Sequence, residues 1–138
     1  MVQMLKKTAP PMQWYLHLAL MAIMMACDAA WIRFNLTRYT DNIMAIQNTK
    51  TYTMWYALAL PIYAIMYLSV VLIAAPLHAV YGVGAGAMVG GAIYGVYNLC
   101  VLLQFEHSSA PLACVDTLWG TALFAGLAWV AVAFEAVV

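Results

Sequence analysis

Four long apolar stretches alternate with short polar breaks along the chain, over about residues 14–32, 53–75, 79–103 and 112–134. An α-helix needs about 20 mostly apolar residues to cross the hydrocarbon core of a bilayer. In lipid every backbone polar group must be paired within the chain, so helices are the economical solution for runs of this length. The pattern predicts an all-α, polytopic membrane four-helix bundle formed by one integral membrane domain over residues 1–138. An even number of spans puts both termini on the same side.

The breaks differ in character. Residues 1–13 are a polar tail with Lys6, Lys7 and the pair Pro10-Pro11. Positive charge before an apolar run resembles a signal peptide, but the run is long enough to span, so an uncleaved first helix is expected. Residues 33–52 form the one long polar connection, and their mixed pattern fits either a short amphipathic surface helix or a loop. Trp55 and Tyr56 are expected as interfacial anchors of the second span. Pro61 should kink that span or mark a later start, because it lacks a backbone donor. A tight turn is expected at Pro76-Leu77-His78, and Ser108 or Ser109 should cap the fourth helix ahead of Pro111.

Composition sharpens the class. Of 138 residues, 67% are hydrophobic and 7% charged, against about 25% charged in soluble domains. A soluble fold of this length leaves too much surface wet to hide so much apolar area. Net charge is zero, which excludes the basic balance of a nucleic-acid partner. Lys6 and Lys7 against Arg33, Arg38 and Lys50 give no orientation by the positive-inside rule. The partners expected are therefore the lipid bilayer and other membrane proteins, or a second copy of the chain.

In the third span Gly82, Gly86 and Gly90 repeat every four residues, as do Gly91 and Gly95. This small-x-x-x-small pattern lets helices approach closely, with Gly120 as a further packing residue on the fourth span. Gly82-x-Gly84-x-Gly86 is no phosphate loop, since it lies inside an apolar run with no strand before it.

Topology places the ends of spans one and three and the start of span four at one membrane face. Asp28, Asn98, Glu106, His107 and Asp116 then share that face. An aspartate in mid-helix costs about 2.5–3.5 kcal/mol to insert, so each needs a partner. Asp28 and Asp116 each have a tryptophan three residues on, Trp31 and Trp119, on the same helix face. The expected buried polar network is Asp28, Trp31, Tyr94, Tyr97, Asn98, Asp116, Thr117 and Trp119, with Arg33 as an alternative partner. His17, His78 and His107 are too scattered for a metal site, and no cofactor is expected. Cys27, Cys100 and Cys114 lack metal or disulfide spacing and read as small core hydrophobes. No H-E-x-x-H or G-x-S-x-G motif appears, which leans against an enzyme and assigns no catalytic residue.

Asp28-Ala-Ala-Trp31-Ile32, Tyr39, Tyr94-Gly-Val-Tyr97-Asn98-Leu99 and Val115-Asp116-Thr117-Leu118-Trp119-Gly120-Thr121 together resemble the small membrane proteins grouped as domain of unknown function 2177. That family typically carries D-x-x-W-L, Y-x-x-Y-D-L-T-N and V-D-x-x-W-G-T in its first, third and fourth helices. Here Asn98, Cys100 and Val101 stand where the family usually has Asp, Thr and Asn. Any binding or relay carried by that cluster in relatives would be partly lost. The resemblance implies a four-helix fold and no reaction. The family occurs in bacteria and in large DNA viruses, and the resemblance implies that a viral member would belong to a virion inner membrane, with capsid-type proteins among its partners.

The function expected is a structural or partner-binding multi-pass membrane protein, a component of a larger assembly. The alternative is a small transporter or lipid-associated factor using Asp28 and Asp116.

Overall fold

The computed structural model describes residues 14–48 and 56–134. The tail with Lys6 and Lys7, and the expected anchor Trp55, lie outside the described residues, as does the side chain of Tyr56. Six helices follow in order: α1 (Trp14–Phe34), α2 (Leu36–Gln47), α3 (Ala59–Ser69), α4 (Ala75–Tyr81), α5 (Val83–Gln104) and α6 (Ala110–Ala133). A 3₁₀ turn, Tyr56–Leu58, leads into α3, and a π-helical turn, Val70–Ala74, joins α3 to α4. Among the described residues, four helices are long and apolar enough to cross a membrane: α1, the composite Ala59–Tyr81, α5 and α6.

The second span departs from expectation. It does not stop at residue 75; it continues through Pro76 to Tyr81. A proline inside a helix removes one donor and pushes its ring against the carbonyl four residues back. The π-helical turn resolves this by widening the backbone just before Pro76, with the Ala75 N–H donating to the Val70 carbonyl five residues back. The stop comes at Gly82, whose φ of +81° is open to glycine, and Val83 starts α5 at once. Gly82 is thus the corner between two helices, with no neighbour within 4 Å of an added Cβ, and not the packing contact expected of it. Pro61 sits in the first turn of α3, the later start that its missing donor allows. Residues 36–47 form the amphipathic helix, and α2 follows α1 after a bend at Asn35.

Packing follows rows of every fourth residue. On α5 the row is Gly86, Gly90, Tyr94 and Asn98; on α6 it is Asp116, Gly120, Phe124 and Ala128. The two rows mesh antiparallel. A Cβ added at Gly86 would lie 2.9 Å from the Ala128 methyl, and one at Gly90 would strike the Gly120 carbonyl and lie 2.6 Å from the Phe124 Cβ. A Cβ on Gly120 would run into the Tyr94 ring, so both backbones need glycine at the crossing. Gly91 approaches Thr121, while Gly95 makes only an ordinary contact with Thr117. On α1 the buried row is Leu20, Met24 and Asp28. Helix α6 is the hub: it packs against α1, the second span and α5, and it buries the largest share of its length. Phe124, Met24 and Val70 fill the centre. Cys100 and Cys114 face outward, not into the core, because they lie off these rows.

Candidate functional site: two carboxylates with exchanged tryptophans

Asp28 lies six residues before the end of α1 and Asp116 six residues after the start of α6. At 1.5 Å per residue both sit about 9 Å inside their helix ends, at the same membrane face. Each is 8% exposed. Among the described residues no cation pairs with either, and Arg33, on the outside of α1, takes no part.

Neutral donors surround both carboxylates. Asp28 Oδ2 accepts from the Tyr63 hydroxyl at 2.8 Å, and Oδ1 accepts from Trp119 Nε1 at 3.2 Å and from Tyr94 at 3.4 Å. Asp116 Oδ1 accepts a short hydrogen bond from the Tyr39 hydroxyl and one from Trp31 Nε1 at 3.4 Å. Its Oδ2 accepts from Asn98 Nδ2 at 3.1 Å. The tryptophans are exchanged: Trp31, on the helix of Asp28, serves Asp116, and Trp119, on the helix of Asp116, serves Asp28. Their indoles stack between the two helices, centroids 4.8 Å apart and 4° from parallel. Because α1 and α6 run in opposite directions, the same D-x-x-W spacing on each makes the arrangement reciprocal.

Among the described residues, five of the six donors are held by membrane-spanning helices, and the sixth, Tyr39, by α2. The Trp31 indole also donates to the Tyr39 hydroxyl at 3.0 Å, which fixes that phenol as donor to Asp116. Burial and the neighbouring Asp116 carboxylate push the Tyr39 phenol well above its ordinary range. A second tie holds α2 down: the Ser109 backbone N–H donates to Asn42 Oδ1 at 2.6 Å. Ser109 in turn caps α6, accepting from the Leu112 N–H at 3.3 Å.

Of the residues read from the sequence, Asp28, Trp31, Tyr94, Asn98, Asp116 and Trp119 share direct bonds, and Thr117 joins by accepting from Asn98 Nδ2 at 3.1 Å. Tyr97 does not join. It lies off the row that carries Tyr94 and Asn98, and it is 63% exposed. Glu106 and His107 stay exposed in the link before α6. Tyr39 and Tyr63 are the additions. Tyr63 was within reach of sequence reasoning, because the start of the second span lies at the same face as Asp28. His17 bonds Tyr67 at 2.5 Å near the other end of α1.

Between α2 and the α5–α6 hairpin lies a cleft of about 330 Å³. Asn98 and Asp116 form part of its lining, with Tyr39, Ile43, Val101 and Leu102 among the rest. A purely apolar crevice of about 130 Å³ lies between α1 and α6 at the other end.

No curated protein and no solved structure matches the chain. The sequence profile of a family of predicted membrane proteins, DUF2177, matches residues 13–133, which hold all four spans and both carboxylates with their donors; the chain belongs to that family, as an integral multi-pass membrane protein.

Proposed function

We propose that this protein is a structural or partner-binding component of a membrane assembly, with its two aspartates serving as bundle locks. One observation carries the reading: among the described residues each buried carboxylate is met by three donors, drawn from different helices. A carboxylate has about four acceptor positions, so three donors leave about one free, too few to replace the ligand shell of a transported inorganic ion. The donors come from all four spans and from α2, so satisfying the two acids requires the whole chain to be in register. Such bonds are worth roughly 1 kcal/mol apiece in membranes, yet a wrong register would strand charge in lipid. The outer faces, with large apolar side chains such as Leu60, Leu72 and Leu103, are left to lipid or neighbouring proteins. A virion inner membrane is one such setting if this is a viral member of the family.

Reconstitution tests the reading. Vesicles carrying the wild-type chain should hold a proton gradient as well as empty ones, while Asp28→Asn and Asp116→Asn should lower folded yield or shift the oligomer distribution seen by native mass spectrometry. Wild-type flux that disappears in Asp116→Asn, with folding and oligomer state unchanged, would replace this reading with a transporter.

A further inference from the structure

We propose that the cleft beneath α2 binds a single-chain amphiphile with a primary ammonium head, the head on Asn98 and Asp116 and the chain along the apolar wall. The proposal stands independently of the assembly role.

The orientation of Asn98 is the starting point. Its Nδ2 donates to Asp116 Oδ2 and to Thr117 Oγ1, whose own proton goes to the Ala113 carbonyl at 2.8 Å. Two acceptors on one side of the amide fix nitrogen there and oxygen on the other side. Asn98 Oδ1 receives no hydrogen bond from the described residues, although the side chain is 8% exposed. The one fully buried side-chain polar atom without a partner among them is His78 Nδ1, so Asn98 Oδ1 keeps an opening, and Asn98 lines the cleft.

The floor therefore offers acceptors: Asn98 Oδ1 and the remaining capacity of the Asp116 carboxylate. The Tyr39 hydroxyl beside them already gives its proton to Asp116. An ammonium has three donors and no acceptor, which complements such a floor and supplies the positive charge that Asp116 lacks. A metal ion fits less well, because no three His, Cys, Asp or Glu side chains come together among the described residues. A phospholipid head fits less well too, since no basic side chain among the described residues lines the cleft to meet a phosphate. Ile43, Ile46, Val101 and Leu102 supply an apolar wall beside the interface. The volume of about 330 Å³ is near the lower end of the roughly 300–1,000 Å³ of ligand pockets, which suits one chain and not two.

Dodecylamine is the probe, titrated into the full chain in non-ionic detergent and followed by melting temperature and by the near-ultraviolet circular dichroism of the stacked Trp31–Trp119 pair. Saturable stabilisation is expected, at least tenfold weaker for dodecyltrimethylammonium, which keeps the charge and chain but has no N–H, and for dodecanol. Val101→Trp fills the cleft while leaving both carboxylates in the sequence and should abolish binding; Asn98→Ala should weaken it at least tenfold. Equal response to the amine and the quaternary ammonium, or full binding by Val101→Trp, would overturn the proposal. Equal displacement of dodecylamine by phosphatidylethanolamine and phosphatidylcholine nanodiscs would overturn it as well, since that marks a site for any lipid.

Discussion

Asp28 and Asp116 are the same residue at the same depth and the same exposure, and they are held in different ways. The donors to Asp28 come from α3, α5 and α6, all membrane-spanning helices. One of the donors to Asp116 comes from α2, a helix outside the spans, and the acid borders an open cleft. The first environment cannot be opened without parting the bundle. The second can be opened by lifting one short helix, whose docking rests on Tyr39, Asn42 and the edge of an apolar face. Regions with few buried contacts open at a lower free energy than the core. Equal burial therefore does not mean equal rigidity; what matters is which elements provide the donors.

The largest break in that comparison should come from deleting the acids. Asp28→Ala strands three donors, at about 1–3 kcal/mol each, while recovering the cost of burying a charge, so a net loss of about 2–4 kcal/mol is expected. Asp116→Ala should cost less, because α2 can move away and let water reach the freed groups. Reversible unfolding in mixed detergent measures both, and a larger loss for Asp116→Ala would refute the asymmetry.

A double-mutant cycle then tests the exchanged tryptophans. Trp119→Phe should cost about 1 kcal/mol and be non-additive with Asp28→Ala, yet additive within about 0.5 kcal/mol with Asp116→Ala. Trp31→Phe should give the mirror result. Coupling of each tryptophan to the aspartate on its own helix would contradict the crossed pairing.

Smaller still are the tyrosines. Tyr63→Phe should lower global stability by roughly 1 kcal/mol. Tyr39→Phe should leave global stability closer to wild type while raising amide hydrogen exchange across Leu36–Gln47. The reverse ordering would mean that α2 belongs to the core.

The subtlest effect is on pH. In the folded chain the Tyr39 phenol is raised above its unfolded value of about 10. Its contribution is fully present below that value and is lost as pH climbs toward the folded one. Protection of α2 should hold to about pH 10 and then decline, and Tyr39→Phe should remove this step from the exchange profile.

The periodicity of this sequence carried much of the design. Apolar runs of bilayer length dictate helices because lipid offers the backbone no other partner. The face shared by Asp28, Asn98 and Asp116 follows from counting spans, and the Gly86–Gly90 row was legible because small residues at helical spacing have few other uses in lipid. Only the tertiary structure decided the rest. It carried the second span through Pro76, because a local π-helical turn absorbs a clash that the sequence rule treats as a stop. It added Tyr39 and Tyr63, since a single tyrosine at a membrane interface looks the same whether it anchors the helix or serves a buried acid. It crossed Trp31 and Trp119 between helices: their spacing fixes the face on which each stands, but which acid an indole reaches depends on how two helices lie against each other. The cleft has the same origin, in a gap left between α2 and the α5–α6 hairpin.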